Sequence, residues 1–335
     1  MYRLTKQGDK VNPQYEKILP SFYFIRNYFK KIIFYSLLLI LVFFLFEVGG
    51  GEERHRLIKD IWNLGHIVLF MLLCIGCLNT GIFNKRSLVF KLSMVTIASL
   101  ILGAGTEAIQ LLVQRDFSIN DIANDVIGAY LGLLIHIITD QTKTTTYRFG
   151  ASILALFFLS IGFRDFGVNV IDEMAIYDNF PTLASFESDA EIKRWEFVYV
   201  HAVRDEKFSI SGRYSLKVDY LPGIYPSISL VHMKSDWRGY KQLSLSVYSI
   251  SQQDISFEIK VHDKYHTHSR GGYGDRFNRN ITLKHGWNFI TIPLSEIAAS
   301  PKGRFMDMSK INKISLFTHK LLQPTTLYID DIRLI

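Results

Sequence analysis

Cysteine is nearly missing from this 335-residue chain: Cys74 and Cys77 are the two it has, and the long stretch after them has none. A disulfide framework is therefore excluded for the second half. The C-x-x-C spacing lies inside an apolar run, with no second pair. It reads as apolar packing rather than as a redox or metal motif. Charge is missing too, but only from parts of the chain. The first half holds long runs with almost no Asp, Glu, Lys or Arg, a pattern expected of membrane spans. In the second half Lys and Arg nearly balance Asp and Glu, so it carries no basic patch. Much of the net charge of +7 sits on Arg3, Lys6, Lys10, Lys17, Arg26, Lys30 and Lys31, beside the first apolar run. That placement is a topology signal and gives no sign of a nucleic-acid partner. The second half also lacks a Ser-His-Asp order, a glycosidase-like carboxylate pair and a phosphate-binding glycine loop.

Five runs have a length suited to the hydrocarbon layer: Ile32–Val48, Leu64–Ile82, Leu88–Val113, Ile122–Thr139 and Phe149–Phe163. The last is short and bracketed by Arg148 and Arg164. The first is no cleavable signal peptide, because its basic lead is too long and no small-residue cleavage site follows. Lys and Arg in the N-terminal tail, in NKRSLVFK and in DQTKTTTYR mark one face as cytoplasmic. Loops 49–63 and 114–121 then lie on the other face. With five spans the N-terminus lies inside and the chain ends outside.

The most informative stretch is 103–132. Gly103, Glu107, Gln110 and Gln114 recur at helical spacing near the outer end of the third span. Asp121, Asn124, Asp125, Gly128 and Gly132 form a second stripe entering the fourth. Small residues on both suit close helix approach. Ser118 can cap the fourth helix, with Asp121 in its first turn favouring the helix dipole. Arg115 sits between the stripes, where it can neutralise Asp121, Asp125 or Glu107. His66 lies near the outer end of the second span. Membrane-edge charges of this kind point to function or to mutual pairing.

This pattern resembles the VanZ-like membrane protein family over about residues 30–140: Glu107-x-x-Gln110, Arg115, Ser118, Asp121, Asn124, Asp125 and Gly128, with His66 on the preceding span. The Asp-Lys pair that family members often carry before the histidine is Trp62-Asn63 here. The resemblance implies a place in the cell envelope and a link to glycopeptide (teicoplanin) resistance. Three readings of the cluster stay open. Glu107 or Asp125 could act as base, with His66, Gln110, Asp121 and Arg115, in an acid/base or metal-assisted site. The same groups could recognise a lipid head group without chemistry. They could equally be a buried network that fixes the helix hairpin.

From Ser185 the chain turns to short alternating segments: GRYSLKVDY, SISLVHM, QLSLSVYSI, ISFEIKVHD, NITLK, WNFITIPL, KISLFT and TTLYIDDIRLI. Strands at this spacing predict an antiparallel sandwich. The expected organisation is a basic tail (1–31), a transmembrane bundle of five helices (32–165), a linker (166–184) and an all-β sandwich (185–335).

Phe186-Glu187, Gly212-x-Tyr-Ser-Leu, Trp237-x-x-Tyr240, Gly286-Trp287-Asn288, Ile292-Pro293-Leu294 and the closing Tyr328-Ile-Asp-Asp-Ile-Arg-Leu resemble carbohydrate-binding modules of the β-jelly-roll, galactose-binding-like type. Such modules often hold a structural calcium ion, and the resemblance places Glu187 and Asp330 at its ligand positions. The loop from His262 onward is the candidate ligand site. Tyr265, Tyr273 and Phe277 offer aromatic faces, and Asp275, Arg276 and Asn278 offer hydrogen bonds to hydroxyl groups. Its glycines let it bend, and His262, His266 and His268 also admit a metal. The expected partners are membrane lipid and an envelope polysaccharide or lipid-linked glycan. The alternative is a non-catalytic anchor or adaptor whose sandwich binds a protein.

Overall fold

A computed structural model describes residues 36, 37, 39, 40, 42, 56–112, 117–269 and 271–335. Two compact units divide at Phe166/Gly167. The first contains α-helices, α1 (Arg56–Leu78), α2 (Leu88–Leu112), α3 (Ile119–Thr139) and most of α4 (Thr145–Asp178). All four are long and apolar enough to cross a membrane. Of the expected first span, Ile32–Val48, only residues 36, 37, 39, 40 and 42 are described, and they are helical. Val42 packs against Leu69, Phe70 and Ala129.

α1 and α3 pack closely because glycine removes the side chain at the crossing. A Cβ on Gly128 would stand 2.3 Å from the Ile67 carbonyl oxygen, and one on Gly132 would stand 2.6 Å from that of Met71. Ser118 caps α3, its hydroxyl accepting the Asp121 amide at 3.3 Å, as the sequence predicts. α2 and the first part of α4 turn large apolar side chains outward, among them Ile101, Leu112, Phe149, Leu156 and Phe157. Helices that are apolar on their outer surface suit lipid rather than water.

The fifth expected span, Phe149–Phe163, lies within α4, which continues to Asp178. At 1.5 Å per residue those 34 residues extend about 51 Å, well beyond a hydrocarbon layer of roughly 30 Å. The stretch 166–184, expected as a linker, is therefore helical over most of its length. Its Asp172 accepts three hydrogen bonds from the buried Arg194 guanidinium, at 2.7, 3.0 and 3.1 Å. This pair lies within the second unit, which includes the last turns of α4.

The second unit is an antiparallel sandwich of two sheets. One has the order β3 (Val200–Asp205), β4 (Ser215–Tyr220), β11 (Thr325–Leu334), β6 (Gln242–Ser249), β9 (Gly286–Pro293), with β1 (Thr182–Ala184) also on β11. The other runs β2 (Trp195–Val198), β5 (Ser227–Leu230), β10 (Ile311–Phe317), β7 (Ile255–Asp263), β8 (Phe277–Leu283). Phe186, Tyr220, Trp237 and Phe257 are the largest fully buried side chains of the core between them. The quoted segments from GRYSLKVDY onward all form strands. β1, β2 and β3 are additional to them. β2 and β3 lie in different sheets, and Tyr199 between them has a φ of 51°, which turns the chain from one layer to the other.

Candidate functional site

Within the helical unit, three helices bring four of the predicted residues together. α1 supplies His66, α2 supplies Glu107, and α3 supplies Asp121 and Asp125; all four are buried. His66 Nδ1 lies 2.9 Å from Asp125 Oδ1, and Nε2 lies 3.8 Å from Asp121 Oδ2. Glu107 Oε2 accepts the Ser118 amide at 2.7 Å. That bond ties the end of the interhelical turn to the middle of the cluster. Room for the Asp125 carboxylate comes from Gly103, where a Cβ would stand 2.8 Å from Asp125 Oδ2. The described members of the two predicted stripes thus lie on faces in contact, while Gln114 lies outside the described residues. Gln110 is buried one turn beyond Glu107, and Asn124 is half-buried. Arg115 lies outside the described residues.

One atom each from His66, Glu107 and Asp121 can be chosen so that all lie within 4.8 Å of one another. An imidazole fixed through one nitrogen by a carboxylate can exchange a proton, or bind a metal ion, through the other.

In the sandwich, the ends of the predicted loop are ordered by a cation between two acids. The Arg304 guanidinium donates to Asp263 at 2.6 and 3.0 Å and to Asp275 at 2.5 and 2.9 Å. Its cation also lies over the Tyr265 ring, 4.6 Å from the centroid. Burial pushes the Asp263 carboxyl up, but the Arg304 bonds and the Asp307 and His266 amides outweigh it and hold it below the usual range. Asp275 is also held low, by the Arg304 hydrogen bonds first. Asp275, expected to bind ligand, is thus already engaged in an ion pair. Phe277, expected to offer a ring to a ligand, is instead 3% exposed and belongs to the core, because strand alternation turns it inward opposite Val261.

The same alternation turns Arg276 and Asn278 outward. Tyr265 and Tyr273 are exposed, and Arg276 lies over the Tyr273 ring at 5.3 Å. Arg276 Nε and Asn278 Oδ1 are buried atoms without a hydrogen-bond partner among the described residues. Asn278 stands opposite Lys260, which stands opposite Ser315. Lys313 stands opposite His262 and pairs with Glu196 at 2.7 Å.

Arg276, Asn278, Lys260, His262 and Lys313 thus share the face of the five-stranded sheet that is turned away from the core. Burial, then the neighbouring charges of Arg276 and Lys313, lowers Lys260 to about 8. Burial also lowers His262 to about 4. Sequence reasoning missed Lys260, Lys313 and Arg304. The alternation of ISFEIKVHD carried the signal for Lys260, since its apolar partners face the core. The His262 and His266 rings lie 4.6 Å apart, but their Nδ1 atoms are engaged elsewhere: His262 Nδ1 faces the Asp263 carbonyl and Thr267 hydroxyl, and His266 Nδ1 faces the Asp275 carbonyl, while His268 Nδ1 faces the Lys264 carbonyl.

Glu187 and Asp330 both grip the segment 210–214. Glu187 Oε1 accepts the Arg213 and Tyr214 amides, each at 2.9 Å. Asp330 Oδ2 accepts those of Ile210 and Ser211, at 2.7 and 3.0 Å, and Oδ1 accepts that of Asp331 at 2.7 Å. A calcium ion takes six to eight oxygens, so at these carboxylates it would depend on backbone carbonyls for much of its shell.

The two halves match two families. Residues 2–140 match VanZ/LLP1, and residues 232–335 match carbohydrate binding domain 30. The protein thus joins a VanZ-like membrane domain to a carbohydrate-binding domain, as the resemblances imply. No curated protein matches the chain. Similar solved structures include an exo-beta-agarase, at 21% identity and a TM-score of 0.38, covering 46% of this chain and 24% of that one. A family 11 carbohydrate-binding module from Clostridium thermocellum, in complex with a beta-1,3-1,4-mixed-linked tetrasaccharide, is 19% identical with a TM-score of 0.36. That match covers 46% of this chain and 94% of the module. The chain spans about a quarter of the agarase.

Proposed function

We propose that this protein is a membrane-anchored receptor for a cell-envelope polysaccharide or lipid-linked glycan. The bundle sits in the bacterial cytoplasmic membrane with its N-terminus inside, its polar cluster at the outer face near lipid head groups, and the sandwich outside. The observation that carries this reading is the outward face of the five-stranded sheet, in a domain matched to a carbohydrate-binding family. There the Arg276 guanidinium lies over the exposed ring of Tyr273, and Asn278 donates to the Tyr273 carbonyl, while Arg276 Nε and Asn278 Oδ1 are buried without a partner among the described residues. Sugar recognition requires planar hydrogen-bonding side chains beside an apolar ring, and this face supplies both.

The test is affinity electrophoresis of the full chain in detergent, in gels cast with purified bacterial wall polysaccharides or with β-glucans. Retardation by at least one polysaccharide is expected, with affinity falling about tenfold in Arg276→Ala, a loss of roughly 1.4 kcal/mol. Free migration through every gel, or equal retention of the variant, contradicts the reading. A structural calcium ion at Glu187 and Asp330, clasping the 210–214 segment, is part of the same proposal. It predicts a lower melting temperature in EGTA, and an unchanged one removes the ion.

A further inference from the structure

We propose that the helical bundle holds a divalent transition-metal cation, of the class that Zn2+ represents, on His66 Nε2, Glu107 and Asp121, with Asp125 as the residue that positions the imidazole. This goes beyond the glycan reading and does not depend on it.

Four observations converge. The three ligand groups come from three different helices and meet within 4.8 Å. They are a nitrogen and two carboxylates, a donor set suited to borderline divalent ions. His66 is 2% exposed, and its Nε2 faces Asp121 Oδ2 at 3.8 Å. That gap is too long for a hydrogen bond. It is close to the roughly 3.4 Å that separates two ligands on one tetrahedral ion with bonds of about 2.1 Å. A network closed only by hydrogen bonds would draw this pair together.

Third, the other imidazole nitrogen is already committed. With Nδ1–H donating to Asp125 Oδ1 at 2.9 Å, the Nε2 lone pair is left facing Asp121. A carboxylate behind a metal-bound histidine fixes its tautomer and raises its basicity. Fourth, the pocket behind Asp125 is shaped for that role, since any side chain at Gly103 would collide with Asp125 Oδ2. No linear zinc motif marks the set, because its members are spread over 56 positions from His66 to Asp121. Three protein ligands leave a coordination position for an oxygen from water or from a phosphate or carboxylate group, as in sites that bind or activate a substrate.

The test uses the full chain, purified in detergent with its tag removed, stripped of metal and then dialysed against Zn2+ or Co2+. Elemental analysis is expected to find stoichiometric Zn2+. The Co2+ form is expected to show the visible absorption of a low-symmetry four- or five-coordinate ion. His66→Ala, Glu107→Gln and Asp121→Asn are each expected to lose stoichiometric metal. Asp125→Asn is expected to keep the metal with an affinity lowered about 10–100-fold and an altered Co2+ spectrum. A merely structural role for Asp125 would leave that spectrum unchanged. Wild-type protein that stays metal-free overturns the proposal whatever the variants do. So does Zn2+ that binds equally well to folded His66→Ala.

Discussion

At the scale of single residues, the sandwich loop shows how chemistry that looks available for a ligand can be committed to the fold. Asp275 and Asp263 share Arg304, and Asp263 is fully buried. Removing the cation strands a buried carboxylate. Arg304→Ala is expected to destabilise the protein by roughly 2–4 kcal/mol, somewhat less than a wholly buried pair because Arg304 reaches solvent. Denaturant unfolding followed by tryptophan fluorescence measures this.

Both acids have folded-state pKa values below their unfolded ones. Their contribution is therefore present above the unfolded value near 4 and is lost as pH falls through the lower folded value. Wild type should lose stability below about pH 4 more steeply than Arg304→Ala; parallel profiles would contradict the pairing. Arg304 lies far along the chain from both partners, so nothing local in the sequence links them. Phe277 was misread for a related reason. A loop aromatic and a first strand residue look alike until the register opposite Val261 is known.

At the scale of elements, periodicity made most of the strands and helices legible, and their ends and joins were not. The α3 cap at Ser118 could be read because capping is local. The full length of α4 could not, since polar residues after Phe163 end the apolar signal without ending the helix. β2 and β3 form one uninterrupted run, WEFVYVHAVRD, and only the backbone turn at Tyr199 assigns them to two sheets. The crossing of α1 and α3 was foreshadowed by Gly128 and Gly132, but the distance of approach was not. Gly128→Leu would drive a side chain into the Ile67 carbonyl. The expected outcome is a bundle destabilised by about 1–3 kcal/mol or more, seen as earlier aggregation on heating in detergent by fluorescence-detected size exclusion. A melting curve like that of wild type would mean that the helices do not cross so closely.

At the scale of the whole molecule, both domain types were legible, because hydropathy and strand alternation each act over many residues. The membrane cluster was legible as a set of residue types on two stripes. Which atoms meet was not, since His66, Glu107 and Asp125 become neighbours only when three helices pack. The outward sheet face was legible least, as its members come from separate strands and a loop.

The proposed meeting of the sandwich with envelope glycans requires it to lie outside the cell, and that placement can be measured directly. Asp254 is exposed in the turn before β7. In a background with Cys74→Ala and Cys77→Ala, Asp254→Cys should react with a membrane-impermeant maleimide on intact cells. Labelling only after the cells are permeabilised would put the sandwich in the cytoplasm and contradict the account.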